Sequence, residues 1–262
     1  MRLDHAMRQA LAHGRFRLHY QPQIDLKSGR VVGAEALIRW PNAELAELAE
    51  LGELGELGEL GEVSPAEFIP VAEASGFIVA IDRWVLSEAR QAAVWRAAGR
   101  ELVMSVNVSA LQFRQPGFVA SVADALREAG VPADCIELEL TESILIQDAA
   151  DAMLRLQALA ALGVRLAIDD FGTGYSSLAY LKRFPIGRLK IDRSFVSGLP
   201  CEASDAAIVQ AIISMGRALQ LEVVAEGVEN GAQRQFLADA GCDLYQGWLD
   251  APAFEARLGP VM

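Results

Sequence analysis

Eight short apolar runs of strand character recur along this chain, and from the second onward helical patterns separate each run from the next. The runs fall at 16–24, 31–40, 102–109, 136–141, 164–170, 188–195, 222–226 and 242–248. Helical periodicity fills 65–74, 81–98, 116–129, 148–162, 177–184, 203–219 and 231–240. Strands and helices alternating in this way predict a parallel sheet covered by helices, and eight strands in 262 residues predict a single TIM-like (β/α)₈ barrel. The turn at 25–30 is too short for a crossover, so the first two strands are expected to run antiparallel. A doubly wound open α/β sheet is the alternative, because strand order is not readable from one sequence.

Each run is broken near its end by polar residues: Gln21, Glu35, Asn107, Glu139, the pair Asp169 and Asp170, Lys190, Glu226 and Gln246. Any one of them alone reads as a solvated strand end, Glu139 in Glu137-Leu138-Glu139 most easily. In a barrel, however, the C-terminal ends of parallel strands converge on one face, and these groups would line one site. Asp169 and Asp170 repel when both ionise, unless protons or cations sit between them. The glycines of Phe171-Gly172-Thr173-Gly174 permit a turn that lets both acids face one pocket. Oxygen ligands with one ammonium match a Mg²⁺ or Mn²⁺ site acting on an anionic, phosphate-bearing substrate.

Charge and composition narrow the classes further. The net charge of −12 owes seven units to glutamates 44, 47, 50, 53, 56, 59 and 62 of a low-complexity insert at 42–62, and removing them leaves −5. A period of three drifts by about 60° per repeat against a helix, so its leucines form no single apolar face. The glycines at 52, 55, 58 and 61 each cost about 1 kcal/mol in a helix, and a mobile, solvated insert is expected. No apolar run approaches the ~20 residues of a membrane span, and residues 1–13 do not form a secretory signal, so a cytoplasmic domain is expected. Cys135, Cys201 and Cys242 lack metal-ligand spacing and read as buried free thiols. His5, His13 and His19 all precede residue 20, which argues against histidine-centred chemistry.

In chain order, the segments Tyr20-Gln21-Pro22, Glu35-Ala36-Leu37 with Arg39, Asn107-Val108-Ser109, Glu139-Leu140-Thr141-Glu142, Asp169-Asp170-Phe171-Gly172-Thr173-Gly174, Lys190-Ile191-Asp192, Ala225-Glu226-Gly227-Val228-Glu229 and Gln246-Gly247 resemble the EAL-domain cyclic-di-GMP phosphodiesterases. Each motif is weak alone; the ordered set is specific. The resemblance implies a TIM-like barrel with an antiparallel first strand and hydrolysis of cyclic di-GMP to linear pGpG. By the same resemblance, Glu35, Asn107, Glu139 and Asp169 hold one cation, and Asp169 and Asp170 a second. Mg²⁺ or Mn²⁺ is implied, with Ca²⁺ inhibitory. Lys190 holds the water or the phosphate, Glu226 is the general base or a further ligand, and Gln21, Arg39 and Gln246 bind substrate. Glu142 and Glu229 orient the loop and the metal waters. The partners implied are cyclic di-GMP and a second copy of the chain through the helix at 177–184, with no polymeric nucleic acid. The insert departs from the family, and the opening Leu3-Asp4 resembles a join from an upstream domain of a longer signalling protein. A non-catalytic cyclic-di-GMP receptor or interaction domain is the main alternative; an enolising metal-dependent lyase has no motif in its favour.

Overall fold

The turn after Asp25 folds the chain straight back on itself. In a computed structural model, which describes residues 2–41, 62–142, 144, 149–174 and 181–249, the Ser28 amide donates to Asp25 Oδ1 at 2.6 Å to fix this turn. Strand β1 (Arg17–Asp25) therefore pairs antiparallel with β2 (Val31–Pro41), from Arg17 opposite Arg39 to Ile24 opposite Val31. A two-residue β3 (Glu62–Val63) lies on β2 outside the main sheet. Then β4 (Val103–Val108) pairs parallel with β2, and β5 (Ile136–Thr141), β6 (Arg165–Phe171), β7 (Arg188–Ile191), β8 (Glu222–Ala225) and β9 (Leu244–Tyr245) follow in parallel, each beside the one before. β9 pairs antiparallel with β1 and closes the ring. Among the described residues this is an eight-stranded barrel with one reversed strand, as expected, and the closure excludes the open sheet.

Helices cover the outside, where Met104, Val106, Ile136, Leu138, Leu140 and Ile168 are buried against them. Ser64 caps the helix Pro65–Ser75 in a capping box with Glu67, and Asn230 caps Gly231–Ala240 in the same way with Gln233. Phe16, Trp40, Phe68 and Trp84 pack with ring centroids 5.6–5.9 Å apart and seat the first of these helices on β2.

Some boundaries differ from expectation, each for a local reason. The helix expected at 81–98 is two, Ile78–Ser87 and Arg90–Ala97. The Ser87 hydroxyl donates to the Trp84 carbonyl at 2.7 Å, competing with the helical ladder just before the break. The strand expected at 188–195 stops at Ile191, because Asp192 Oδ1 accepts from the Ser194 amide at 3.0 Å and starts the helix Arg193–Ser197. Cys135 and Cys242 are buried free thiols, but Cys201 is exposed, in the turn where its amide bonds the Gly198 carbonyl. The insert up to residue 61, residues 177–180 of the helix expected at 177–184, and residues 250–262 lie outside the described residues. Among those described, no helix is long and apolar enough to cross a membrane.

Candidate active site

Lys190, on β7, stands at the centre of the barrel with its side chain fully buried. Its Nζ lies 2.5 Å from Glu139 Oε2, 2.7 Å from Glu226 Oε1, 3.1 Å from Asp169 Oδ1 and 3.2 Å from Glu35 Oε2. These residues converge because all lie on the inward face near the same strand ends: Gln21 is opposite Glu35 and Asn107 opposite Glu139, while Ser105 opposite Glu35 and Thr141 opposite Asp169 set Asn107 and Glu139 two residues along the strand from those partners. Two amides complete the ring. Asn107 Nδ2 donates to Glu35 Oε1 at 2.7 Å, and Gln246 Nε2 donates to Glu35 Oε2 at 2.6 Å and to Glu226 Oε1 at 3.1 Å.

One ammonium against four carboxylates leaves an excess of negative charge away from water, which is costly unless protons or cations compensate it. Burial raises the Glu139 pKa, and the nearby Glu35 raises it further against the pull of Lys190. Burial pushes Glu226 up to about 8, Lys190 notwithstanding. Burial also opposes the charge on Glu35, but Lys190 and the Gln246 and Asn107 amides outweigh it, and its pKa is lowered. Lys190 loses to burial and gains more from Glu139, Glu35, Glu226 and Asp169, so it stays charged. Asp170 rises to about 6 through burial and the charges of Asp169 and Asp192.

Asp170 takes a left-handed backbone, φ 53, unusual for a residue other than glycine. The Thr173 hydroxyl donates to its carbonyl at 2.8 Å. This turn brings carboxylate oxygens of Asp169, Asp170 and Glu226 within 4.8 Å of one another. Glu139 Oε1 is buried with no hydrogen-bond partner among the described residues. A buried, oxygen-rich set with an unpartnered carboxylate oxygen fits a hard divalent cation.

The remaining residues singled out by sequence divide. Gln21 is half-buried beside Glu35. Gln246, expected to meet substrate, gives its amide hydrogens to Glu35 and Glu226. Glu142 is buried at the end of β5, and its carboxylate lies 3.3 Å from where a Cβ on Gly174 would stand. Glu229 is exposed, and among the described residues its carboxylate makes no hydrogen bond to the ring; its amide donates to Gln233. Arg39 donates to the Ile38 carbonyl and lines a cavity of about 310 Å³ beside the ring. That cavity also contains Asp82, which sequence reasoning missed. Its carboxylate accepts from the Ser109 hydroxyl at 2.5 Å, and burial pushes its pKa to about 7. The available signal was an acid on the buried face of a helix, four residues after Ile78 and one after Ile81.

The model of the EAL domain family matches residues 4–253. The chain belongs to the EAL-domain family. It is 45% identical over 251 residues to the bifunctional diguanylate cyclase/cyclic di-GMP phosphodiesterase MucR of Pseudomonas aeruginosa, covering 95% of this chain and 34% of that protein. It is 42% identical to the cyclic di-GMP phosphodiesterase NbdA of the same organism, over 95% of this chain and 30% of the relative. This EAL domain thus spans about a third of the length of those curated relatives. Among solved structures it resembles the PaMucR phosphodiesterase in its c-di-GMP complex, with a TM-score of 0.87 and 44% identity over 95% of this chain and 96% of that one. The Pseudomonas aeruginosa FimX EAL domain bound to c-di-GMP aligns with a TM-score of 0.79 at 27% identity, over 94% of each chain.

Proposed function

We propose that this EAL domain hydrolyses cyclic di-GMP to linear pGpG. The observation that carries the reading is the ring of Glu35, Glu139, Asp169 and Glu226 around a buried Lys190, with Glu139 Oε1 unpartnered among the described residues. Glu35, Asn107, Glu139 and Asp169 would hold one cation, and Asp169 with Asp170 a second. Mg²⁺ or Mn²⁺ bound there would supply an acidified water and neutralise charge at the phosphate. Glu226 is suited to take the proton of the attacking water, since its pKa lies near the working pH. Its Oε1 is held by Lys190 and Gln246, so Oε2 is the atom that receives the proton. Lys190 fixes the carboxylates and supplies positive charge toward phosphate. Arg39 is suited to a phosphate oxygen, and Gln21 would contact the substrate beside Glu35. The cavity beside Arg39 has the apolar walls and single buried acid, Asp82, that suit the N–H edge of a guanine. A second copy of the chain is the proposed partner.

The test is incubation of the protein with cyclic di-GMP and Mg²⁺ or Mn²⁺, followed by product analysis. Linear pGpG is the expected product. Tight binding without turnover would instead make the domain a receptor. Ca²⁺ should bind and inhibit, because it prefers about 2.3–2.6 Å contacts and more ligands than the octahedral site of Mg²⁺; full activity in Ca²⁺ alone would count against two-metal hydrolysis.

A further inference from the structure

Beneath the carboxylate ring lies a second polar layer, one side-chain pair further down each strand: Gln23, Ser105, Glu137 and Arg188, all buried. Its hydrogen bonds have a direction. The Arg188 guanidinium can only donate, and Nη1 gives to Glu137 Oε1 at 2.6 Å and Gln23 Oε1 at 3.0 Å. The oxygen end of Gln23 must therefore face Arg188. Ser105 requires the same independently. Its hydroxyl hydrogen goes to Glu137 Oε1 at 2.9 Å, so toward Gln23 it can only accept, and it does so from Nε2 at 3.3 Å. Gln23 Nε2 also donates to Gln246 Oε1 at 3.2 Å. With its oxygen thus engaged, Gln246 turns its nitrogen to Glu35 and Glu226. Gly33 makes room for this relay, since a Cβ there would stand 2.9 Å from Gln23 Oε1 and 2.8 Å from the Val103 carbonyl.

We propose that Gln23 is a positioning residue: it carries the donor direction from Arg188 to Gln246 and so holds the Gln246 amide with its nitrogen toward Glu35 and Glu226. Reversed, Gln246 would turn its carbonyl oxygen on two carboxylates and take one donor from each, leaving Glu35 with Asn107 and Lys190 and Glu226 with Lys190. An orienting partner of this kind acts on the geometry of site groups without touching substrate.

Gln23→Glu keeps an acceptor for Arg188 but removes the donor to Gln246, so it isolates the direction of the relay. Gln23→Met, which leaves Arg188 its bonds to Glu137 and Glu222, serves if the acid does not fold. The turnover readout rests on the phosphodiesterase reading. There kcat should fall about tenfold or more with KM nearly unchanged, the mark of misplaced site groups. Adding Gln23→Glu to Gln246→Met should cause no further loss if one acts through the other. A second readout needs neither metal nor substrate: in ¹⁵N-glutamine-labelled, metal-free protein, the side-chain amide resonances of Gln246 should shift in the Gln23 variants. Unchanged Gln246 resonances overturn the proposal, as does an unchanged kcat in an active protein. If the wild-type protein hydrolyses nothing, the hydrolase reading has failed, and the resonances alone decide the role of Gln23.

Discussion

Lys190 compensates charge that the fold gathers where water cannot reach it. Lys190→Met leaves Glu35, Glu139, Asp169 and Glu226 facing one another, and removing one partner of a buried ion pair costs about 3–5 kcal/mol. Denaturant unfolding of the metal-free variant should show a loss of that order, partly recovered with Mg²⁺, together with a collapse of turnover. The same crowding gives stability a pH dependence of definite sign. The Glu226 carboxyl titrates near 4.5 when unfolded and about 8 when folded, so between those values the folded chain holds a proton that the unfolded chain has released. Its stabilising contribution is complete below 4.5 and is lost as pH rises toward 8. Asp170, raised to about 6, acts in the same direction. Lowered Glu35 and raised Lys190 change charge outside this window. The midpoint of thermal unfolding of metal-free protein should therefore fall from pH 5 to pH 8, and Glu226→Gln should flatten the fall. Single residues were legible where a polar group interrupts an apolar strand, as at Glu139 or Lys190. Gln23 and Arg188 were not: a position two from a site residue shares its inward face, but apolar fillers such as Ala167, two before Asp169, have the same spacing.

The loop after β6 is where two elements must agree. Glu142, just past β5, sets its carboxylate against Gly174, and both oxygens are buried without a partner among the described residues. Asp170 at the root of that loop holds a left-handed backbone that its neighbours must maintain. Glu142→Ala should leave circular dichroism and thermal midpoint close to wild type while lowering turnover about 100-fold, the scale of loss from roughly 1 Å of misplacement. Gly174→Ala, whose methyl would press on the Glu142 carboxylate at 3.3 Å, should reduce turnover in the same sense by less. Wild-type turnover in Glu142→Ala would show that the loop needs no support from β5. Elements were legible wherever apolar periodicity was long, as in Ala203–Leu219 and Gly231–Ala240. They were misjudged where one polar side chain overrides periodicity, as Asp192 does in ending β7 and Ser87 in dividing a helix.

At the scale of the whole molecule the barrel is inverted relative to a simple core, with charged and amide groups inside the ring and apolar side chains under the helices. Alternation along each strand made that arrangement readable, since parallel strands buried on both faces need apolar residues only on the helix side once the inside is a site. None of the residues of the carboxylate ring comes from the Glu-Leu repeat. Trp40 pairs with Val63 and Pro41 with Glu62, so the two ends of the repeat leave neighbouring positions of antiparallel strands. A connection of a few residues closes such a pair. Loop closure changes by only about 0.6 kcal/mol per doubling of length, and shortening acts in the stabilising direction. Replacing 44–61 with a short Asn-Gly turn should leave the unfolding midpoint unchanged or raised, and kcat and KM for cyclic di-GMP within about twofold. The measurement is the thermal midpoint and steady-state turnover of the shortened protein beside the full chain. Loss of either on deletion would mean that the leucines of the repeat pack on the barrel and that the insert is part of the domain's fold.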